Sequence, residues 1–127
     1  MQVKDYFSEI QNLLREFAVI ENVDVEYEIK SKTVGIIHGT IGMVDGSTLQ
    51  FMELININGD EVTRPKYRFH FIDSADGMVF RYDNAPHHPE VASYPHHKHI
   101  RNEDEPKQSK EIGLRDVLSE IEERIVR

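Results

Sequence analysis

The stretch Tyr67-Arg68-Phe69-His70-Phe71-Ile72-Asp73-Ser74-Ala75-Asp76-Gly77-Met78-Val79-Phe80-Arg81-Tyr82-Asp83 decides the architecture. On both sides of its Asp-Gly turn, aromatic and polar residues alternate with a period of two, the pattern of a hairpin with one buried and one solvated face. If residues 74–77 form the turn, Asp73 faces Met78, His70 faces Arg81 and Arg68 faces Asp83. Four polar side chains, Arg68, His70, Arg81 and Asp83, then share one face. Tyr67, Phe69, Phe71, Phe80 and Tyr82 share the other, the side expected beneath helices.

Upstream, Phe7, Ile10, Leu14 and Phe17 recur at helical spacing, so residues 4–20 are expected to form an amphipathic helix. Val23, Val25, Tyr27 and Ile29 then alternate with charged residues as a strand. A second strand, 34–44, carries Gly35, Gly39 and Gly42, which predict bulges or a close approach by another backbone or a ligand. Asp45-Gly46-Ser47 turns the chain into a third strand, 48–57, and the hairpin above supplies strands 66–73 and 78–83. Downstream, Leu114, Val117, Leu118, Ile121 and Ile125 mark a closing helix. The expected fold is α+β: a five-stranded antiparallel meander with the N- and C-terminal helices packed on one face. Residues 84 to about 112, with Pro86, Pro89, Pro95 and Pro106, are expected to form neither a continuous helix nor a central strand, and within them 100–112 reads as an irregular, charged connection.

Size and composition set the limits. With 127 residues the chain suits a single domain, 1–127, and with 39% hydrophobic residues it can fill a core. Cysteine is absent, which excludes disulfides and thiolate metal sites; no apolar run reaches the ~18 residues of a membrane span, and no secretion signal is visible. The cytoplasm is therefore the expected compartment. The net charge of -8 argues against a surface coated in phosphate contacts. Between Arg64 and Arg101, however, six basic residues meet four acidic ones, so a local anion site on an acidic body is expected.

Chemistry points to residues 80–99. His87, His88, His96, His97 and His99 put five of the seven histidines into this segment, directly after Arg81-Tyr82-Asp83-Asn84. Histidine exchanges protons near neutral pH, ligates metals and, when charged, contacts phosphate. The structural alternative is a solvated face of ion pairs with hydrogen-bonded loop histidines. Two functional alternatives stand against it: a metal site in which histidines join Asp83 or Glu90, and a metal-free acid/base site suited to RNA cleavage by its own 2′-hydroxyl. Adjacent histidines ligate one ion poorly, and no H-E-x-x-H spacing occurs. No G-x-S-x-G, P-loop or G-x-G-x-x-G is present, so acyl transfer, nucleotide hydrolysis and dinucleotide chemistry have no motif behind them. Glu53 shares parity with Leu49, Phe51 and Ile55, which predicts a half-buried carboxylate with a partner, or a bulge. A two-residue Asp45-Gly46 turn would place it opposite His38, whereas a three-residue turn would place it opposite Gly39 and pair Ile41 with Phe51, the better hydrophobic match and the expected register.

Phe80-Arg81-Tyr82-Asp83-Asn84-Ala85-Pro86-His87-His88 followed by Tyr94-Pro95-His96-His97-Lys98-His99 resembles the signature of the TumE family of toxin components. The resemblance extends to Tyr6-Phe7 in the first helix, to Leu49, Phe51 and Glu53, to Tyr67-Arg68 with His70, and to the closing helix. It implies a toxin paired with a helix-turn-helix antitoxin, with ribonuclease activity as its toxic action. On this basis His87, His88, His96, His97, His99, Arg81 and Asp83 are the expected catalytic set, and Arg68, His70, Lys98, Asn84 and Glu53 the expected substrate-binding set. No resident metal or cofactor is expected, with a divalent metal as the alternative. The expected partners are RNA and the antitoxin, with no membrane and with a homodimer left open. A metal- or partner-binding module without activity, and a metal-dependent hydrolase, are the competing functions.

Overall fold

The computed structural model describes residues 1–86 and 94–127. The chain runs α1 (Val3–Leu14), β1 (Ile20–Ile29), β2 (Val34–Met43), β3 (Thr48–Asn58), β4 (Glu61–Ile72), β5 (Met78–Asp83), β6 (His97–Ile100), β7 (Lys107–Gln108) and α2 (Leu114–Ile125). All strands form one antiparallel sheet in the order β1-β2-β3-β4-β5-β6-β7. The α+β class with two terminal helices and an antiparallel meander is as expected, but the sheet has seven strands rather than five. The two additional strands lie within residues 84–112, and β6, paired on both sides, is a central strand where none was expected. Prolines there suppress strand only where they stand, and Pro95 and Pro106 bracket β6 without entering it.

The helices bury one face of the sheet. Phe7, Ile10 and Leu14 of α1 and Leu114, Val117, Leu118 and Ile121 of α2 join Ile37, Ile41, Leu49, Phe51, Ile55, Phe69, Phe71 and Phe80 in a single core. Each helix opens with an aspartate in its first turn that accepts a backbone N–H: Gln2 N–H donates to Asp5 at 2.7 Å, and Gly113 N–H donates to Asp116 at 3.1 Å. Helix α1 ends at Leu14, short of the expected boundary at residue 20, although Phe17 and Val19 stay buried. The sheet claims that segment: Ile20 pairs with Met43, and Val44 N–H donates to the Val19 carbonyl at 2.9 Å.

The β2-β3 hairpin differs from the expected register. Glu53 stands opposite Ile37, and Ile41 opposite Leu49, because the loop occupies residues 44–46 and closes with Met43 N–H donating to Ser47 O at 2.9 Å. A three-residue loop of this kind needs a left-handed residue at its third position, and Gly46 has φ +87°. The glycine therefore fixes the loop, and the loop fixes the register.

Of the three β2 glycines, Gly39 meets the close backbone approach that was expected, while Gly35 and Gly42 lie against side chains, of Phe7 and Asn22. A Cβ at Gly35 would lie 2.6 Å from the Phe7 ring, and one at Gly39 would lie 2.6 Å from the Val25 Cα. The second obstacle is backbone and cannot swing aside. Gly39→Ala should lower stability by about 1–3 kcal/mol, measured by urea unfolding, since β1 must separate from β2 to admit the methyl group. An unchanged midpoint would mean that the two strands are not held this closely.

Candidate functional site

The site is a property of sheet register. Across β4, β5 and β6, Arg68 stands opposite Asp83 and Asp83 opposite His97; one step along, His70 stands opposite Arg81 and Arg81 opposite His99. The period of two puts all six side chains on the face away from the helices. A hollow of about 320 Å³ lined by Lys66, Tyr67, Arg68, Arg81, Asp83 and Ala85 opens beside them.

Asp83 is the hub, only 6% exposed. Its Oδ1 accepts from Ala85 N–H at 3.1 Å and lies 2.6 Å from His97 Nε2, while its Oδ2 accepts from Arg81 Nε at 3.1 Å and lies 3.9 Å from His99 Nε2. His97 Nδ1 is 2.8 Å from the Pro95 carbonyl. A carbonyl can only accept, so Nδ1 carries hydrogen, and Nε2 is the ring atom turned to the Asp83 carboxylate. At 2% exposure, with both ring nitrogens engaged, His97 positions Asp83 and does not face solvent.

His70 has a different state. Arg68 Nη2 lies 3.3 Å from its Nδ1, and a guanidinium can only donate, so Nδ1 accepts and Nε2 carries the proton. That Nε2 is buried and has no hydrogen-bond partner among the described residues. Burial, followed by the charges of Arg68 and Arg81, pushes the His70 pKa below the usual histidine value. The fold thus prefers neutral His70: its contribution is unpenalised above the unfolded value of ~6.5 and declines as the pH falls through it. His70→Gln should flatten the acid limb of a stability-against-pH curve. An identical limb in wild type and variant would show that His70 does not resist protonation.

Other expected site residues fall on the helix side. Lys98 is bound to Glu120 of α2 at 3.0 Å and sits over the Tyr82 ring at 4.7 Å. Asn84 clasps the β4-β5 end, accepting from Tyr67 N–H at 2.9 Å and donating to the carbonyl of Pro65 at 3.3 Å. Glu53 is 0% exposed, accepting from the Tyr6 hydroxyl at 2.8 Å and from Arg64 Nη1 at 3.0 Å. Burial pushes the Glu53 carboxyl up, against the pull of Arg64 and Tyr6. Arg64 also reaches Glu111 at 3.0 Å and lies 4.7 Å over the Tyr67 ring, and the Tyr67 hydroxyl meets His96 Nδ1 at 2.7 Å. His96 therefore sits on the side opposite His97, as adjacent residues entering a strand must. His87, His88 and Glu90 lie outside the described residues.

Arg64 is the partner that sequence reading did not assign to Glu53. Simple parity from Tyr67 would aim it at the polar face. A register shift between Leu54/Lys66 and Asn56/Thr63 accommodates Arg64 and Pro65 as a bulge, which carries Arg64 to the core side. Pro65 inside a central strand was the available signal.

The ligand atoms of Asp83, His97 and His99 lie within 4.8 Å of one another, the described cluster best able to hold a metal ion. Two ligands of one tetrahedral zinc at ~2.0–2.1 Å lie about 3.3 Å apart, so His97 Nε2 and Asp83 Oδ1, 2.6 Å apart, would have to separate to share an ion, while Asp83 Oδ2 and His99 Nε2, 3.9 Å apart, would have to close. Arg81 also places a competing cation on the same carboxylate.

No curated protein and no solved structure matches the chain. The family model described as Toxin TumE matches residues 10–125, spanning the polar-face strands, Glu53 with Arg64, the end of α1 and all of α2. This chain belongs to the toxin TumE family.

Proposed function

We propose that this toxin is an endoribonuclease that cleaves RNA without a metal, and that its cognate partner is a helix-turn-helix antitoxin. The observation that supports it most is the row His70-Arg81-His99, a guanidinium with an imidazole one strand away on either side. At a strand pitch of ~4.8 Å, a phosphate seated on Arg81 has a ring at each flank, the layout for in-line attack of a 2′-hydroxyl with departure of the 5′-oxygen. Arg68 supplies a second guanidinium. The guanidiniums Arg68 and Arg81 outnumber the single carboxylate Asp83, so the face attracts phosphate.

Roles follow from environment. His70, held neutral, takes the 2′-hydroxyl proton once Arg68 turns to a phosphate oxygen and releases Nδ1. His99, in its protonated form, gives its proton to the leaving 5′-oxygen. The new bond joins the 2′-oxygen to phosphorus, the P–O5′ bond breaks, and the product ends are 2′,3′-cyclic phosphate and 5′-hydroxyl. His87 and His88 belong to the proposed catalytic set through the signature alone. His96, Lys98, Asn84 and Glu53, on the helix side, support the segment that carries β6.

Purified protein incubated with RNA should cleave it equally with and without chelator, leave cyclic phosphate ends, and trace a bell in pH with limbs displaced from ~6.5 by the neighbouring charges. The second reading, a metal-dependent hydrolase, is favoured by the Asp83, His97 and His99 cluster. Activity lost in chelator and restored by Zn²⁺ or Mn²⁺ would replace the first reading with the second and make Asp83 a ligand.

A further inference from the structure

The two edges of the sheet are unlike. At one end β7 has two residues, a short and protected edge; at the other β1 has ten, Ile20–Ile29, without a proline and with its one irregularity at its start, between Ile20 and Asn22. Its side chains divide by face. Val23, Val25, Tyr27 and Ile29 point to the helix side, where Val23 is 48% and Ile29 62% exposed, and a groove of about 430 Å³ runs between Leu14 of α1 and Val23, Val25 and Tyr27. Asp24, Glu26 and Glu28 point to the other side, where Glu26 and Glu28 approach His38 Nε2 at 3.4 and 3.3 Å.

We propose that β1 is a docking edge for an extended, basic segment of the antitoxin, one that alternates Lys or Arg with apolar residues and adds to the sheet as a strand. Main-chain pairing to a free edge supplies affinity, and alternate side chains supply the choice of partner. The charges select the occupant. In a symmetric antiparallel pair of two copies, Asp24, Glu26 and Glu28 would meet the same carboxylates, and like charges directly opposite are unfavourable. A basic strand turns that repulsion into cross-strand ion pairs while its apolar face fills the groove. The toxin assignment enters only as the source of the segment.

The test uses the full chain, the purified antitoxin and two synthetic peptides, one alternating Lys with Val and one alternating Glu with Val. Amide exchange should slow at residues 20–29 on adding antitoxin or the Lys-Val peptide. Changing Asp24→Lys, Glu26→Lys and Glu28→Lys together should weaken both at least about tenfold and shift preference to the Glu-Val peptide. These side chains are exposed, so the variant should keep the wild-type unfolding midpoint; Gln at all three positions serves as the milder version. Protection elsewhere in the antitoxin complex, or unchanged affinity in both variants, would overturn the proposal. If no antitoxin complex forms at all, it is the toxin-partner assignment that fails, and the peptides alone decide the edge: no binding of the Lys-Val peptide overturns it too.

Discussion

Asp83→Ala should destabilise the chain by about 3–5 kcal/mol, the usual cost of removing one partner from a buried ion pair. The carboxylate lies between Arg81 Nε at 3.1 Å and His97 Nε2 at 2.6 Å, and it also accepts the Ala85 N–H at 3.1 Å. Its loss leaves Arg81 and the buried His97 without their shared carboxylate in a site where Asp83 is 6% exposed, and removes the acceptor that ties the end of β5 to the chain following it. Urea unfolding provides the measurement, with Glu16→Ala as the reference. Glu16 pairs with Arg115 at 2.9 Å on the surface, where both side chains are more than half exposed and such pairs contribute little. If Asp83→Ala proved as mild as Glu16→Ala, the Asp83 cluster would be hydrated, and its position at the centre of the site would need another explanation.

His99→Ala should reduce RNA cleavage by about 10²–10⁴-fold, the range for loss of a general acid or base, with little change in unfolding midpoint. His99 is only partly buried and lies at 3.9 Å from Asp83, so the fold does not depend on it as it depends on His97. His97→Ala should act differently, lowering stability first, because it opens a cavity beside an ion-paired carboxylate. In cells, overproducing the wild type without antitoxin should arrest growth, and His99→Ala should relieve the arrest at equal soluble expression. Cleavage by His99→Ala within a few-fold of wild type would remove His99 from the proton transfers and leave the polar face as a binding surface.

Alternation of residue types determined much of this protein before any coordinates. Residues 67–83 announced both hairpin faces, and the pairs Arg68 with Asp83 and His70 with Arg81 occur as the Asp-Gly turn required, apart from Ile72 taking the place of Asp73 opposite Met78. Strand periodicity is a local property, set by backbone geometry within a few residues. The same holds for both terminal helices and for family membership, which the histidine signature carries. Tertiary structure alone decided how the histidines divide. His96 and His97 are neighbours in sequence but face opposite sides of the sheet, a consequence of β6 pairing with β5, which no local pattern announced. Likewise the bulge at Pro65 turned Arg64 toward Glu53, and the left-handed Gly46 moved the β2-β3 register by two residues from the best hydrophobic match. In each case a long-range pairing decided what a side chain meets: the two-residue shift at Gly46 changed partners but not faces, whereas a shift of one residue, as at the Pro65 bulge, reverses the face.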